Sequence, residues 1–356
     1  MDIGTVSITI LTVIFGAIGV TLFGIIIGLL YKGIDRKIAA HMQGRVGPPI
    51  RQPFLDVIKL FVKENIVPDN AIPWVFHLAP IIGLIASITI LLYLPIGGFP
   101  AVLDGIITSK GDLILLLYLL IIPSLALVTG GFSSGSPYAI VGAQREMATM
   151  IAYEFPLAII IVTIAWRLSL MQNVSHVFTL STITSIPLWN ILGPLGFIGM
   201  ILLLLTLIIV TPAELSKIPF DAPEAETEIA GGLLVEYSGR NLAMFYLTDA
   251  VKTVAMGSII IALFFPYNLS PILSMNGYPA YIIDFLFYLL KLFLVILFSV
   301  TLIRVGVARL KIDQIVYTYW VPLTLLALIG LICIMWDQTI MTQFGIPSVV
   351  EILGLT

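Results

Sequence analysis

The stretch Thr211-Pro-Ala-Glu214-Leu-Ser-Lys217-Ile-Pro-Phe-Asp221-Ala-Pro-Glu224-Ala-Glu226-Thr-Glu228-Ile-Ala-Gly231-Gly232-Leu-Leu-Val-Glu236-Tyr-Ser-Gly-Arg240 lies between two long apolar runs. It places six of the chain's 20 acidic residues, Glu214, Asp221, Glu224, Glu226, Glu228 and Glu236, against only Lys217 and Arg240. Loops on the cytoplasmic side of a membrane usually carry the opposite bias. Carboxylates this dense beside a bilayer repel one another, so some are expected to hold protons near neutral pH. That is a physical reason to look for proton handling. Locally, Asp221 can cap a helix opened by Ala222-Pro223, with Glu224 at the reciprocal capping-box position. Glu224 and Glu228 then share a face, and Glu236 follows two turns later if the helix runs through Gly231-Gly232. An ordinary acidic helix start accounts for Asp221 and Glu224 through the helix dipole, but not for Glu226, Glu228 and Glu236.

The surrounding chain reads as membrane. Of 356 residues, 59% are hydrophobic and 10% charged, where a soluble domain is about a quarter charged. The reading is an all-α polytopic membrane protein, a single integral membrane domain over 1–356. Eight apolar segments are long enough to cross a bilayer, which takes about 20 helical residues. They fall near 4–31, 72–94, 112–130, 143–166, 191–212, 241–265, 279–303 and 316–336. The first has no basic segment before it and is long enough to span, so it reads as a span and not as a cleaved signal. Pro123 and Pro156 lie inside two of these spans, where kinks are expected.

Basic residues set the expected orientation. One set of loops holds Lys32, Arg36, Lys37, Arg45, Arg51, Lys59, Lys63, Arg145, Lys217, Arg240, Arg304, Arg309 and Lys311; the other holds Lys110 and Arg167. Positive residues favour the cytoplasmic side, so both termini are expected outside. In the longest such loop, Phe54, Val57, Ile58, Phe61 and Val62 share a helical face. This reads as a cytoplasmic amphipathic helix lying on the membrane or under a partner. No internal repeat is visible, which argues against an inverted-repeat transporter.

Ionisable residues inside spans are costly, about 2.5–3.5 kcal/mol each on insertion scales, and are functional candidates. Glu146 and Glu154 are eight residues apart, on one helix face and about 12 Å from each other. Pro156 removes the usual donor to the carbonyl of Ala152. For Glu146 the alternative is a partner for a nearby Arg at the cytoplasmic edge. Asp249 and Lys252 are three apart, as a local ion pair would be, or one that opens as its neighbours change charge. Lys291 follows Asp284 by seven residues on one face, and can carry a proton or reach toward the interface. The single Cys333 cannot bind an iron–sulfur cluster within the chain. His41, His77 and His176 show no metal spacing. No phosphate loop, nucleotide site or hydrolytic triad is present, and no nucleic-acid partner is implied.

The same residues resemble a known family. Glu214-Leu-Ser-Lys-Ile-Pro-Phe-Asp-Ala-Pro-Glu-Ala-Glu-Thr-Glu228, then Glu236-Tyr-Ser-Gly239, is similar to the signature loop of the H subunit of respiratory complex I. Tyr153-Glu-Phe-Pro156, Arg304-Val-Gly-Val-Ala-Arg309-Leu-Lys-Ile-Asp313-Gln314, Asp35-Arg-Lys37 and Gly44-Arg-Val-Gly-Pro48 resemble further motifs of that subunit. Together these cover about residues 30–320. The resemblance implies a subunit without a cofactor of its own. It would anchor a peripheral redox arm and join it to antiporter-like membrane subunits in the plasma membrane. Iron–sulfur clusters, and nickel–iron in a hydrogenase, would sit in a catalytic subunit and an iron–sulfur subunit of that arm.

The resemblance also implies a carboxylate path through Glu146, Glu154, Glu214, Asp221, Glu224, Glu226, Glu228, Glu236, Asp249, Lys252 and Lys291. Arg36, Arg45, Arg51, Lys217, Arg304, Arg309 and Asp313 would face the arm. The sequence departs from the family pattern in two places: the family's Glu-Thr-Asn-Arg reads Glu214-Leu215-Ser216-Lys217 here, and the first loop differs from that of quinone-reducing members. Only Gly47-Pro-Pro-Ile-Arg51 precedes Gln52-Pro53, a shorter loop resembling the subunit of energy-converting membrane-bound nickel–iron hydrogenases and of the ferredoxin-linked sulfane reductase. The expectation is a ferredoxin-linked complex of that type coupling redox chemistry to H⁺ or Na⁺ translocation. The alternatives are a quinone-site subunit of a complex I-type oxidoreductase and a stand-alone secondary transporter.

Overall fold

A lipid environment leaves helices as the way for a single crossing segment to pair its own backbone, and helices are what the chain forms. The computed structural model describes residues 3–97, 102, 112–171, 176–275, 277–345 and 347–352. The helices are α1 (Ile3–Met42), α2 (Gln52–Val62), α3 (Pro73–Tyr93), α4 (Leu113–Ser133), α5 (Pro137–Ser169), α6 (Leu180–Ser185), α7 (Pro194–Glu214), α8 (Glu226–Ile229), α9 (Gly239–Phe264), α10 (Tyr278–Ile296), α11 (Leu302–Gly306), α12 (Ile312–Thr318), α13 (Thr324–Phe344) and α14 (Val349–Ile352). Wider π turns at Leu297–Thr301 and Tyr319–Leu323 join α10 to α11 and α12 to α13. Pro322 lies in the second of these turns, where it cannot supply a backbone donor. Among the described residues there is no strand, only an isolated bridge between Asp112 and Thr179.

Eight helices are long and apolar enough to cross a membrane among the described residues, one for each expected span. Proline in the first turn opens α2, α3, α5, α7 and α10, where its missing N–H costs nothing. The expected boundaries shift mainly at α1. It runs 40 residues, about 60 Å at 1.5 Å per residue, so its last turns stand clear of a bilayer core about 30 Å thick.

α9 is the axis of the bundle and is buried along nearly its whole length. α1, α2, α3 and α10 pack around it, α4 lies on α3, and α13 lies on α7. Small residues permit the tight crossings. A Cβ on Gly28 would come within 2.4 Å of the Ala250 carbonyl oxygen, so α1 approaches α9 backbone to backbone.

The expected amphipathic helix is α2, but its apolar face is divided. Val57 is buried and Phe54 packs with it against Leu29, Leu247 and Ala250, whereas Leu55, Ile58, Phe61 and Val62 are exposed. Lys110 lies outside the described residues. Arg167 does not belong to a loop: it occupies the last turn of α5 and is buried, 3.9 Å from Asp337.

Candidate functional site

The acidic stretch folds as a clamped cap over one end of the bundle. Ser216 takes a left-handed φ of 48°, reversing the chain directly after α7. Arg309 donates from Nε and NH2 to the two oxygens of Asp221 at 2.9 and 2.5 Å, and from NH1 to Thr227. Arg145 donates to Glu228 at 2.6 Å and to the Ala222 carbonyl at 3.3 Å. At the far end of the cap Tyr237 stacks flat on Phe76, with ring centres 4.1 Å apart, and donates to the Phe76 carbonyl.

Three local expectations are corrected here. Asp221 does not cap a helix, because Arg309 occupies its carboxylate. Glu224 and Glu228 do not share a face: they sit in separate short helical turns, Glu224 in a 3₁₀ turn before the bend at Ala225 and Glu228 in α8. Glu236 does not continue that helix, because Ala230, Gly231 and Gly232 all have positive φ and end it.

Beneath the cap is a cavity of about 330 Å³. Six cations (Lys32, Arg36, Lys217, Lys252, Arg304 and Arg309) and six carboxylates (Asp35, Glu214, Asp221, Glu224, Glu226 and Asp249) line it. The charges pair across elements. Asp249 on α9 receives Lys32 of α1 at 2.5 Å and Lys217 of the cap at 2.6 Å through the same oxygen. Asp35 receives Arg304 at 2.9 Å and the Thr301 hydroxyl at 2.7 Å. Arg36 reaches Asp56 of α2 at 3.2 Å. Half-buried Glu224 stands in this cavity. Burial pushes its carboxyl up to about 6, against the pull of Lys217 and Lys32 and helped by the charges of Asp249 and Asp221.

The cavity floor leads into the membrane. Lys252 does not pair with Asp249 as their spacing suggested. One turn deeper on α9, it meets Glu214, the last residue of α7, at 2.8 Å. Its ammonium also donates to the Ser124 hydroxyl of α4 at 2.9 Å, and Ser124 lies 3.2 Å from the Tyr153 hydroxyl of α5. Glu146 is 1% exposed. One of its oxygens receives the Ser216 hydroxyl at 3.4 Å; the other is buried without a donor. Glu154, next to Tyr153 in the chain, is half-buried and also keeps one buried oxygen without a donor. Unpaired buried oxygens are costly in a fold, and these are places for a water or a proton.

The structure therefore brings Glu214, Lys252, Glu146 and Glu154 toward one buried polar cluster, with Asp221, Glu224, Glu226 and Asp249 in the cavity above. Glu228 is held at the cap by Arg145, and Glu236 is half-buried at the cap's end. Lys291 stands apart. It donates to the carbonyls of Phe265 and Tyr267 at the far end of α9, while Asp284 receives the backbone of Leu269 and Ser270. The two do not pair; each satisfies a chain turn. Of the residues expected to face a partner arm, Arg45, Arg51 and Asp313 are exposed, whereas Arg36, Lys217, Arg304 and Arg309 are engaged within the chain. Among the described residues no His, Cys, Asp and Glu group is arranged to hold a metal ion.

Sequence reasoning passed over Lys32 and Asp35 as site members, because at the end of a long apolar run they read as boundary charges. Ser124 carried no signal, being one hydroxyl in an apolar span.

Comparison with known proteins places the geometry. Residues 15–335 match the family described as NADH dehydrogenase. The H subunit of the NADH-quinone oxidoreductase of Brevibacillus brevis is 33% identical over 323 residues, covering 88% of this chain and 90% of that protein. The corresponding H subunit of Anoxybacillus flavithermus is 32% identical over 89% of this chain and 92% of its own. Among solved structures, a chain of the membrane-bound sulfane sulfur reductase, an archaeal respiratory membrane complex, superposes with a TM-score of 0.77. It is 28% identical, and the match covers 90% of this chain and 99% of that one.

Proposed function

The chain belongs to the NADH dehydrogenase family and is a membrane subunit of a complex I-like assembly, and from that premise we propose that it couples redox chemistry in a peripheral arm to ion translocation. The buried run from Glu214 and Lys252 through Ser124 to Tyr153, with Glu146 and Glu154 beside it, is the observation that carries this reading. Ionisable groups are retained inside a membrane bundle when they serve a pathway. The charged cavity is the mouth of that path, and the cap above it is the surface on which a redox partner would act. In this reading the cavity end is cytoplasmic, favoured by the excess of basic residues in the loops, and both termini lie across the cell membrane.

The assembly is of the ferredoxin-linked type, a sulfane reductase or hydrogenase, and its acceptor is not a quinone. Two features support this: the short loop Gly47–Arg51, and the similarity to a chain of the sulfane sulfur reductase complex. The curated relatives carry quinone in their names, so acceptor specificity is the point to test. The purified assembly is expected to pass electrons from reduced ferredoxin to polysulfide or protons. Rapid turnover with a quinone instead would reject this part of the reading. The coupling role is tested with Glu154→Gln in sealed vesicles. Ion translocation per electron is expected to fall, and normal pumping by the variant would remove Glu154 from the path.

A further inference from the structure

We infer that a groove between the ends of α5 and α13 farthest from the cap binds one membrane phospholipid, held by its phosphodiester headgroup. It lies across the bundle from the charged cavity and takes no part in the path proposed above. The groove holds about 500 Å³, within the range of small-molecule sites. Trp166 and Leu170, one turn apart on α5, form one wall; Met335 and Trp336 of α13 form the other. Trp336 is 61% exposed. Its height in the membrane follows from α5, whose Arg145 reaches into the cap. Trp166 is about 31 Å farther along that helix at 1.5 Å per residue. A bilayer core is about 30 Å thick, so the groove sits at the opposite membrane–water interface, where tryptophans concentrate.

The polar atoms of this groove are donors in search of an acceptor. Arg167 donates to the Gln338 side-chain oxygen at 3.2 Å, so the two hydrogens on the Gln338 nitrogen point elsewhere. Among the described residues that nitrogen has no acceptor, and neither have the indole nitrogens of Trp166 and Trp336 or the Thr339 hydroxyl. The guanidinium that holds Gln338 is 6% exposed and keeps its own Nε–H buried without an acceptor. No carboxylate lines the groove, and Thr342 has turned its hydroxyl onto its own helix. Indole and amide nitrogens can only donate, so the ligand must bring acceptor oxygens. A phosphodiester offers acceptors alone. The rest of the ligand must be apolar, because the walls are aromatic, Met and Leu. One turn deeper, Val162 on α5 and Ile332 on α13 are exposed, and Ile329 is exposed a further turn down. They form a track for acyl chains running from the headgroup into the core. A free phosphate would leave both walls and track unused.

The experiment uses the intact assembly in dodecylmaltoside micelles with a phosphatidylglycerol that carries a photoactivatable diazirine on one acyl chain. Adducts are mapped by peptide mass spectrometry. They are expected on the segments 159–171 and 329–342, with a yield that saturates as probe is added. Unlabelled dioleoylphosphatidylglycerol should displace the probe, whereas dioleoylglycerol and inorganic phosphate should not. Trp336→Phe together with Gln338→Leu, which keeps a ring and removes the donors, is expected to raise the half-saturating probe concentration about tenfold. Displacement by dioleoylglycerol would show that only acyl chains are read, and displacement by inorganic phosphate that the site takes a free anion; either overturns the inference. So does a groove without adducts in the wild type, as when a protein subunit fills it, and so does an unchanged half-saturation in the double variant. If that variant does not assemble, the competition series on the wild type decides alone.

Discussion

Glu214 ends α7 with its carboxylate 2.8 Å from the Lys252 ammonium, and their side chains are only 2% and 6% exposed. Burying two opposite charges is close to neutral when they meet, but stranding one is costly, about 3–5 kcal/mol. Glu214→Gln and Lys252→Met should therefore each lower the thermal stability of the purified assembly strongly. The double variant, which buries neither charge, should be more stable than either single. A double-mutant cycle measures this, and additive losses in the double variant would mean that the pair is not coupled.

The cap is held by geometry that a lysine cannot copy. Arg309 makes two parallel donations to Asp221 and a third to Thr227. Arg309→Lys keeps the charge and loses the fork. The pair is partly open to solvent, so the expected cost is modest, about 1 kcal/mol. The effect should be local: amide exchange across 215–236 should speed up by about fivefold, following that energy, while exchange in α9 stays as it was. Uniform protection in both segments would show that other contacts hold the cap.

The bundle was largely legible in the sequence, and the site only in part. Long apolar runs opened by proline or aspartate fix the spans, because a membrane-crossing backbone has few alternatives. Glu146 and Glu154 announced themselves as charges where charge is costly, and Glu214 as part of a dense acidic stretch between spans. What could not be read was pairing. Asp249 and Lys252 have the spacing of a local pair, yet Lys32 and Lys217 claim Asp249 from other elements and Lys252 turns to Glu214. Lys291 read as a proton carrier or as a lysine reaching for the interface, and nothing in the sequence pointed to the two carbonyls, of Phe265 and Tyr267, to which it donates. Partners brought together by tertiary packing leave no mark at i, i+3 or i, i+4.

The cavity gives a pH-dependent signal. Burial is the first cause of the raised carboxyl of Glu224, at about 6 against 4.5 for a free glutamate. A raised carboxyl binds its proton more tightly in the folded chain than in the unfolded one. Between pH 4.5 and 6 the folded state therefore keeps a proton that the unfolded state has lost, and stability from this group declines as pH rises through that window. Infrared difference spectra should show a protonated carboxyl band that fades with a midpoint near 6 and is missing in Glu224→Gln. A midpoint at the free value would mean that water fills the cavity well enough to solvate the charge.

The opposite end of the bundle has its own anchor, and it should fail independently of the cavity. Asp337 is 1% exposed and accepts the backbone N–H groups of Gly193 and Gly196 at 2.9 and 2.7 Å, capping the first turn of α7 from α13. Arg167 of α5 lies 3.9 Å away and donates to Gln338 and to the Ile191 carbonyl. One carboxylate thus ties α5, α7 and α13 together. Asp337→Asn retains an acceptor for one glycine N–H but removes the counter-charge of Arg167. Asp337→Ala removes both, and a lost cap adds about 1 kcal/mol to the cost of the stranded cation. The expected order of stability is wild type, then Asp337→Asn, then Asp337→Ala, read as melting of the purified assembly. Adding Arg167→Met to Asp337→Asn should recover stability. No recovery would show that capping of α7, and not charge balance, is what Asp337 supplies.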